Sequence, residues 1–216
     1  FRLKRTKINY DLEKMNVKLS AEEISRSLQK IFALPIRPKR IECFDVAHIS
    51  NRNFVTANAV WANGKIRPEL SGHFVSDEAN ELAAMAAGVR ERLANAPQPD
   101  LIVIDGGKGQ LNSVLPAAGA NIPVISAVKP PGKHGGISHF LTAADERIEF
   151  VEGKRVFELL RLLRDEAHRT ANELYRQLHS NRNLFETDLP LVPVRFDEIG
   201  GEADDLIPIK SNLPQI

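Results

Sequence analysis

Three carboxylates and one histidine stand where this sequence could do chemistry. Asp45 interrupts the apolar run RIECFDVAHIS, Asp105 closes another in PDLIVIDGG, and Glu81 lies in NELAAMAA. His168 follows Asp165 by three positions and Arg164 by four in LLRDEAHR, so the three share a helix face. Carboxylates from separate segments offer the hard oxygen ligands that Mg2+ or Mn2+ takes. An ion held in that way activates water and stabilises the leaving oxygen of an in-line displacement at phosphorus. A neutral imidazole beside such a set binds metal, or moves a proton near neutral pH. Each residue also has an ordinary alternative. Asp45 could be a surface-facing strand residue and Asp105 a cap for the next helix, while Glu81 and His168 could simply face solvent.

The stretch DLIVIDGGKGQL, residues 100 to 111, suggests a different chemistry, a glycine-rich cradle for a nucleotide phosphate. A P-loop requires a hydroxyl residue directly after its lysine, and GGKGQL has none. Asp105 would also set a negative charge against the phosphates. The dinucleotide fingerprint fails too, because the glycine spacing differs and no acid follows at the end of a second strand. The glycines read better as letting backbone come close to a nucleic-acid strand, with Lys108 near a phosphate.

Positioning these groups requires strands and helices in a particular order. Ser20 is placed to cap a helix through AEEISRSLQKIFAL, with Ile24, Leu28, Ile31 and Phe32 on one stripe. The proline-basic stretch PIRPKR then breaks the chain. Period-two alternation from Arg40 predicts a strand with Ile41, Cys43 and Asp45 facing one way. Two strand-like runs around Asn63-Gly64, a dipeptide suited to a type I′ turn, complete an antiparallel three-strand meander. A helix capped by Ser76 is expected next, then a buried strand through PDLIVID, a helix interrupted by Pro116, and a buried strand through IPVISAV. FLTAADERIEFVEGK reads as a hairpin, and a long helix from Lys154 carries Val156, Leu160, Leu163 and Ala167 on one face. The first strand and the PDLIVID strand should lie side by side, so that Asp45 and Asp105 reach one pocket. The expected fold is α/β, a ribonuclease H-like mixed sheet with an antiparallel meander plus parallel strands, flanked by helices. Fold alone does not assign function.

Composition excludes several classes. The chain has 216 residues, a net charge of +1 and one cysteine, Cys43, so it holds neither an internal disulfide framework nor a cysteine-based zinc site. That suits a reducing cytoplasm, and no apolar stretch is long enough to span a membrane. The charge is uneven. Residues 1 to 40 hold eleven Lys/Arg against four Asp/Glu, whereas residues 186 to 205 hold seven acids against one arginine, Arg195. We therefore divide the chain into a basic segment and linker helix (1–38), a central domain (39–180) and an irregular acidic tail (181–216). The opening residues lack an initiator Met and read as part of a longer protein.

The blocks RIECFDVAH, ELAAM, PDLIVIDGGKGQL and LLRDEAHR, in that order, resemble the signature blocks of the UvrC family, the excinuclease component that makes the incisions in bacterial nucleotide excision repair. The resemblance covers roughly residues 21 to 172 and is to the C-terminal, ribonuclease H-like endonuclease domain. It implies a divalent-metal-dependent DNA endonuclease that cuts the damaged strand on the 5′ side of a lesion. It also implies Mg2+ or Mn2+ as cofactor, and DNA and a UvrB-type helicase subunit as partners. The family's metal-site aspartates correspond to Asp45, Glu81 and Asp105, with Glu81 replacing an aspartate, and its histidine corresponds to His168. On that basis Asp45 and Asp105 bind metal, Glu81 completes the shell, and His168 ligates a second ion or assists proton transfer. Lys108, Arg164 and Arg169 are candidates for phosphate contacts. Two departures stand out: ISNRN follows the first block in place of the family's usual TQG, and no paired helix-hairpin-helix pattern follows the domain. A catalytically inactive DNA-binding or scaffold protein of the repair complex is the alternative.

Overall fold

Alternation of apolar side chains gives the central sheet two buried faces, and helices cover both. The computed structural model describes residues 20–50, 53–132 and 136–182; the basic start and the acidic tail lie outside the described residues. Helix α1 (Ala21–Ile31) opens with a capping box in which Ser20 and Glu23 satisfy each other's backbone N–H, as Ser20's position predicts. Strand β1 (Arg40–Ser50) pairs antiparallel with β2 (Asn53–Ala62), and β2 turns through Asn63 and Gly64 into the short β3 (Lys65–Ile66). Both turn residues have positive φ, 53° and 81°, as a type I′ turn demands.

The third strand of the meander is broken, contrary to expectation. A 3-10 turn at Pro68–Leu70 leaves the ladder, and β4 (Gly72–Ser76) then re-pairs with β2 from Asn58 to Phe54. Pro68 has no N–H to donate, which makes a continuous strand costly there. Ser76 is consequently the last residue of that strand rather than a helix cap. The cap of α2 (Glu81–Asn95) is Asn80, whose side chain accepts from Ala83 N at 3.0 Å. Strand β5 (Leu101–Asp105) lies parallel to β1, as expected, and β6 (Val124–Val128) lies parallel to β5. Between them α3 (Lys108–Ala118) runs through Pro116 without interruption, because the proline falls in the last turn and little helix follows it. A hairpin of β7 (His139–Thr142) and β8 (Arg147–Glu149) closes the sheet, and α4 (Arg155–Arg182) packs across β1 and β2. The resulting order, β3-β2-β1-β5-β6-β7-β8 with β4 beside β2, is a ribonuclease H-like mixed sheet.

The two faces have separate cores. Ile41, Cys43, Leu101, Val103 and Ala127 pack under α1 and α4 with Leu28, Phe32, Leu160, Leu163 and Ala167. Phe44, Ile102 and Ile104 pack under α2 and α3 with Met85, Val89, Leu111 and Val114. The α2 face depends on one close approach. A Cβ on Gly88 would lie 2.5 Å from the Thr56 side chain, whose hydroxyl donates to Ala84 O at 3.0 Å. Gly88→Ala should therefore lower stability by about 1 to 2 kcal/mol in urea denaturation, since the overpacking outweighs the gain in helix propensity. An unchanged or raised midpoint would show that α2 can shift freely on the sheet.

Candidate metal centre

The register of β1 against β5 builds the site. Ile41 pairs with Leu101 and Cys43 with Val103, so one further step of the same alternation sets Asp45 beside Asp105 on the α4 face. Both aspartates are buried, at 5% and 4% exposure; Asp105 ends β5, and Asp45 lies one residue past the parallel β1–β5 ladder, at the end where open α/β sheets bind ligands. Helix α4 delivers His168 one residue past the buried Ala167. Its Nδ1 is 2.6 Å from Asp45 Oδ2 and 3.9 Å from Asp105 Oδ2. One ligand atom from each of the three lies within 4.8 Å of the others, and among the described residues this is the one such group of acid, histidine or cysteine side chains.

The chemistry of the three groups fits a divalent cation. Both oxygens of Asp105 are buried without a hydrogen-bond donor, an arrangement that costs free energy unless a cation meets them. Burial first, and then the neighbouring Asp45, raises the Asp105 pKa, while Lys129 and Arg164 oppose the rise. Lys129 Nζ lies 3.2 Å from Asp105 Oδ2 as an ion pair. Sequence reasoning misses Lys129. The signal that could find it is its place just after β6, at the same sheet end as Asp105.

The other candidates lie around this cluster rather than in it. Glu81 is exposed in the first turn of α2 and is not among the three converging residues. Its neighbour Leu82 approaches the start of α3, 3.7 Å from where a Cβ on Gly109 would be, so Glu81 rims the same end of the sheet. Lys108 is exposed and pairs with Asp145. Arg169 is half-exposed between Glu166 and Glu173. Arg164 is buried and its donors are spent on Asp165 and on Gly136 O at 2.9 Å, so it is the least available of the three to a phosphate. Gly106 has a local role: a Cβ there would sit 2.9 Å from Gln110 Cδ, and Gln110 Oε1 accepts from Gly107 N at 3.1 Å to cap α3.

A sequence profile of the UvrC RNase H endonuclease domain matches residues 29–171. The chain belongs to that family. UvrABC system protein C of Pelodictyon phaeoclathratiforme is 33% identical over 177 residues, covering 77% of this chain and 27% of the relative. The Solibacter usitatus protein of the same name is 30% identical over 186 residues, covering 82% and 30%, so the chain spans under a third of these relatives. Among solved structures, the catalytic domain of human endonuclease V is 10% identical with a TM-score of 0.41, covering 80% of this chain and 96% of that one. Ciona intestinalis endonuclease V, in complex with a DNA containing an inosine followed by a ribo-adenosine, is 11% identical with a TM-score of 0.42, covering 79% and 97%.

The bond to Asp45 raises the His168 pKa, which burial opposes and the Asp45 charge reinforces. The folded chain thus holds this proton more tightly than the unfolded chain does. Its stabilising effect is complete below the unfolded histidine value of about 6.5, and is lost as pH rises through the higher folded value. His73 and His139 are shifted downward, so they act on the acid side of that window. With a chelator present, the melting temperature should fall as pH rises above about 6.5. His168→Gln should flatten that slope. An equal slope in the variant would remove His168 as its source.

Proposed function

We propose that this chain is a metal-dependent DNA endonuclease that hydrolyses a phosphodiester on the 5′ side of a lesion in nucleotide excision repair. The observation carrying this reading is the convergence of the buried Asp45 and Asp105 and the half-exposed His168 on one spot beside the paired ends of β1 and β5. Asp45, Asp105 and the His168 imidazole would hold the ion. A divalent ion there supplies Lewis-acid stabilisation of charge on the phosphate and a more acidic water. Asp45 also holds the His168 ring through Nδ1, so Nε2 is the nitrogen left to ligate the ion. An imidazole among the ligands suits Mn2+ better than Mg2+, which prefers an all-oxygen shell.

Glu81, on the rim, would add a carboxylate charge from outside the three-residue cluster. Lys108 and Arg169 exchange their carboxylate partners for phosphates of the bound strand, which position it without reading sequence. DNA and a UvrB-type subunit are the partners and the cytoplasm the location; among the described residues no helix is long and apolar enough to cross a membrane. The test is nicking of ultraviolet-irradiated supercoiled plasmid by the chain, alone and with the other proteins of the repair system, in Mn2+, Mg2+ and chelator. Metal-dependent nicks 5′ to lesions are expected. Mn2+ binding with no cleavage under any of these conditions would favour the scaffold alternative.

A further inference from the structure

A cation already stands beside one of the carboxylates of the cluster: Lys129 Nζ is 3.2 Å from Asp105 Oδ2. Lys129 follows the last residue of β6, and Ala127 pairs with Asp105 across the parallel ladder, so Lys129 lies two residues further along the same face. Pro130 follows it directly and biases Lys129 to extended backbone, which continues the direction of the strand. Its Nζ reaches only to 3.2 Å from Asp105 Oδ2, and its side chain keeps 37% of its surface in solvent. Among the described residues it has no other ion-pair partner, whereas Arg164 is anchored to Asp165 and the Gly136 carbonyl. A loosely tethered ammonium with a wet flank is able to leave. A buried carboxylate with no other donor is able to accept a substitute.

We propose that Lys129 is a built-in competitor for the metal ion: its ammonium holds Asp105 until a phosphate of the DNA strand draws it away, so that ion and DNA bind cooperatively. The inference rests on the metal-site reading above. An ammonium beside Asp105 repels a divalent ion bound to the same carboxylate, and a phosphate that takes the ammonium removes this repulsion. By reciprocity, the ion then tightens DNA binding by the same factor.

The test is calorimetric titration of the folded chain with Mn2+, with and without an oligonucleotide carrying non-cleavable phosphorothioate linkages. Lys129→Met, of similar length but uncharged, should bind Mn2+ about tenfold more tightly than the parent in the absence of DNA. Lys129→Arg should stay near the parent, and Lys65→Met, exposed at the start of β3, should not differ from it. The oligonucleotide should tighten Mn2+ binding to the parent and leave Lys129→Met nearly unchanged. Unchanged or weaker Mn2+ binding by Lys129→Met would overturn the proposal, as would an equal effect of DNA on both proteins. Asp105→Asn separates this from failure of the underlying reading. If that variant loses Mn2+ while Lys129→Met behaves like the parent, only the lysine's role is wrong. If Asp105→Asn binds Mn2+ as the parent does, the metal site itself is wrong.

Discussion

Asp105→Asn should lower Mn2+-dependent nicking by about a thousandfold or more while leaving the fold as stable as before, or more so. Both halves follow from the same burial. Asp105 is 4% exposed, and burial and the facing Asp45 outweigh the half-exposed Lys129 ammonium 3.2 Å away, so its pKa is raised. An uncharged amide of the same shape removes a repelled, desolvated charge, so urea denaturation should show an unchanged or raised midpoint. The cost falls on activity, because the amide is a poor ligand for a divalent ion. Asp45→Asn should match this loss of activity, but it also weakens the tie to His168. Glu81→Gln, on the rim, should cost at most about tenfold, as expected of a charge outside the three-residue cluster. A loss as large for Glu81→Gln as for Asp105→Asn would place that glutamate inside the shell after all. Loss of stability in Asp105→Asn would mean that the carboxylate is structural.

The largest effect on stability should come from the other face of the sheet. Glu42 is fully buried and accepts from Arg40 Nε at 2.7 Å, from Asn58 Nδ2 at 2.9 Å and from the Arg92 guanidinium. Arg92, on α2, is 1% exposed and also donates to Pro97 O at 3.0 Å. Asn58 in turn accepts from Gly72 N at 2.7 Å, so the network joins β1, β2, β4 and α2. Burial lowers the Arg92 pKa, and Glu42 is the first influence opposing this. Arg92→Met should destabilise the chain by about 3 kcal/mol, because it leaves Glu42 buried with Arg40 as its remaining cation. Replacing both partners, Glu42→Leu with Arg92→Met, should cost less than the sum of the two single changes. Additive costs would show that the two charges do not depend on each other. Since α2 also carries Glu81, its looser docking should widen the rim of the site before the fold is lost.

Local periodicity determined much of this protein without coordinates. The alternation through Ile41, Cys43 and Asp45, and through Leu101, Val103 and Asp105, specified both strands and set each aspartate on the same side as its apolar neighbours, because the strand period holds closely over a few residues. The Ser20 cap, the Asn63-Gly64 turn and the apolar stripe of α4 were legible for the same reason: each depends on residues within one or two turns of one another. The motif spelling supplied the family. What it could not supply was distance between segments far apart in the chain. Only the β1–β5 register brought Asp45 beside Asp105, and only the crossing of α4 over that sheet brought His168 into hydrogen-bond reach. The same packing left Glu81 on the rim, spent Arg164 on Asp165 and a carbonyl, and set Lys129 against Asp105, for which its place just after β6 was the one sequence signal. The physical reason is that burial and pairing are properties of surfaces that meet in the fold. Ser76, expected as a helix cap, is a strand residue because its partner Phe54, more than twenty residues away, pairs with it.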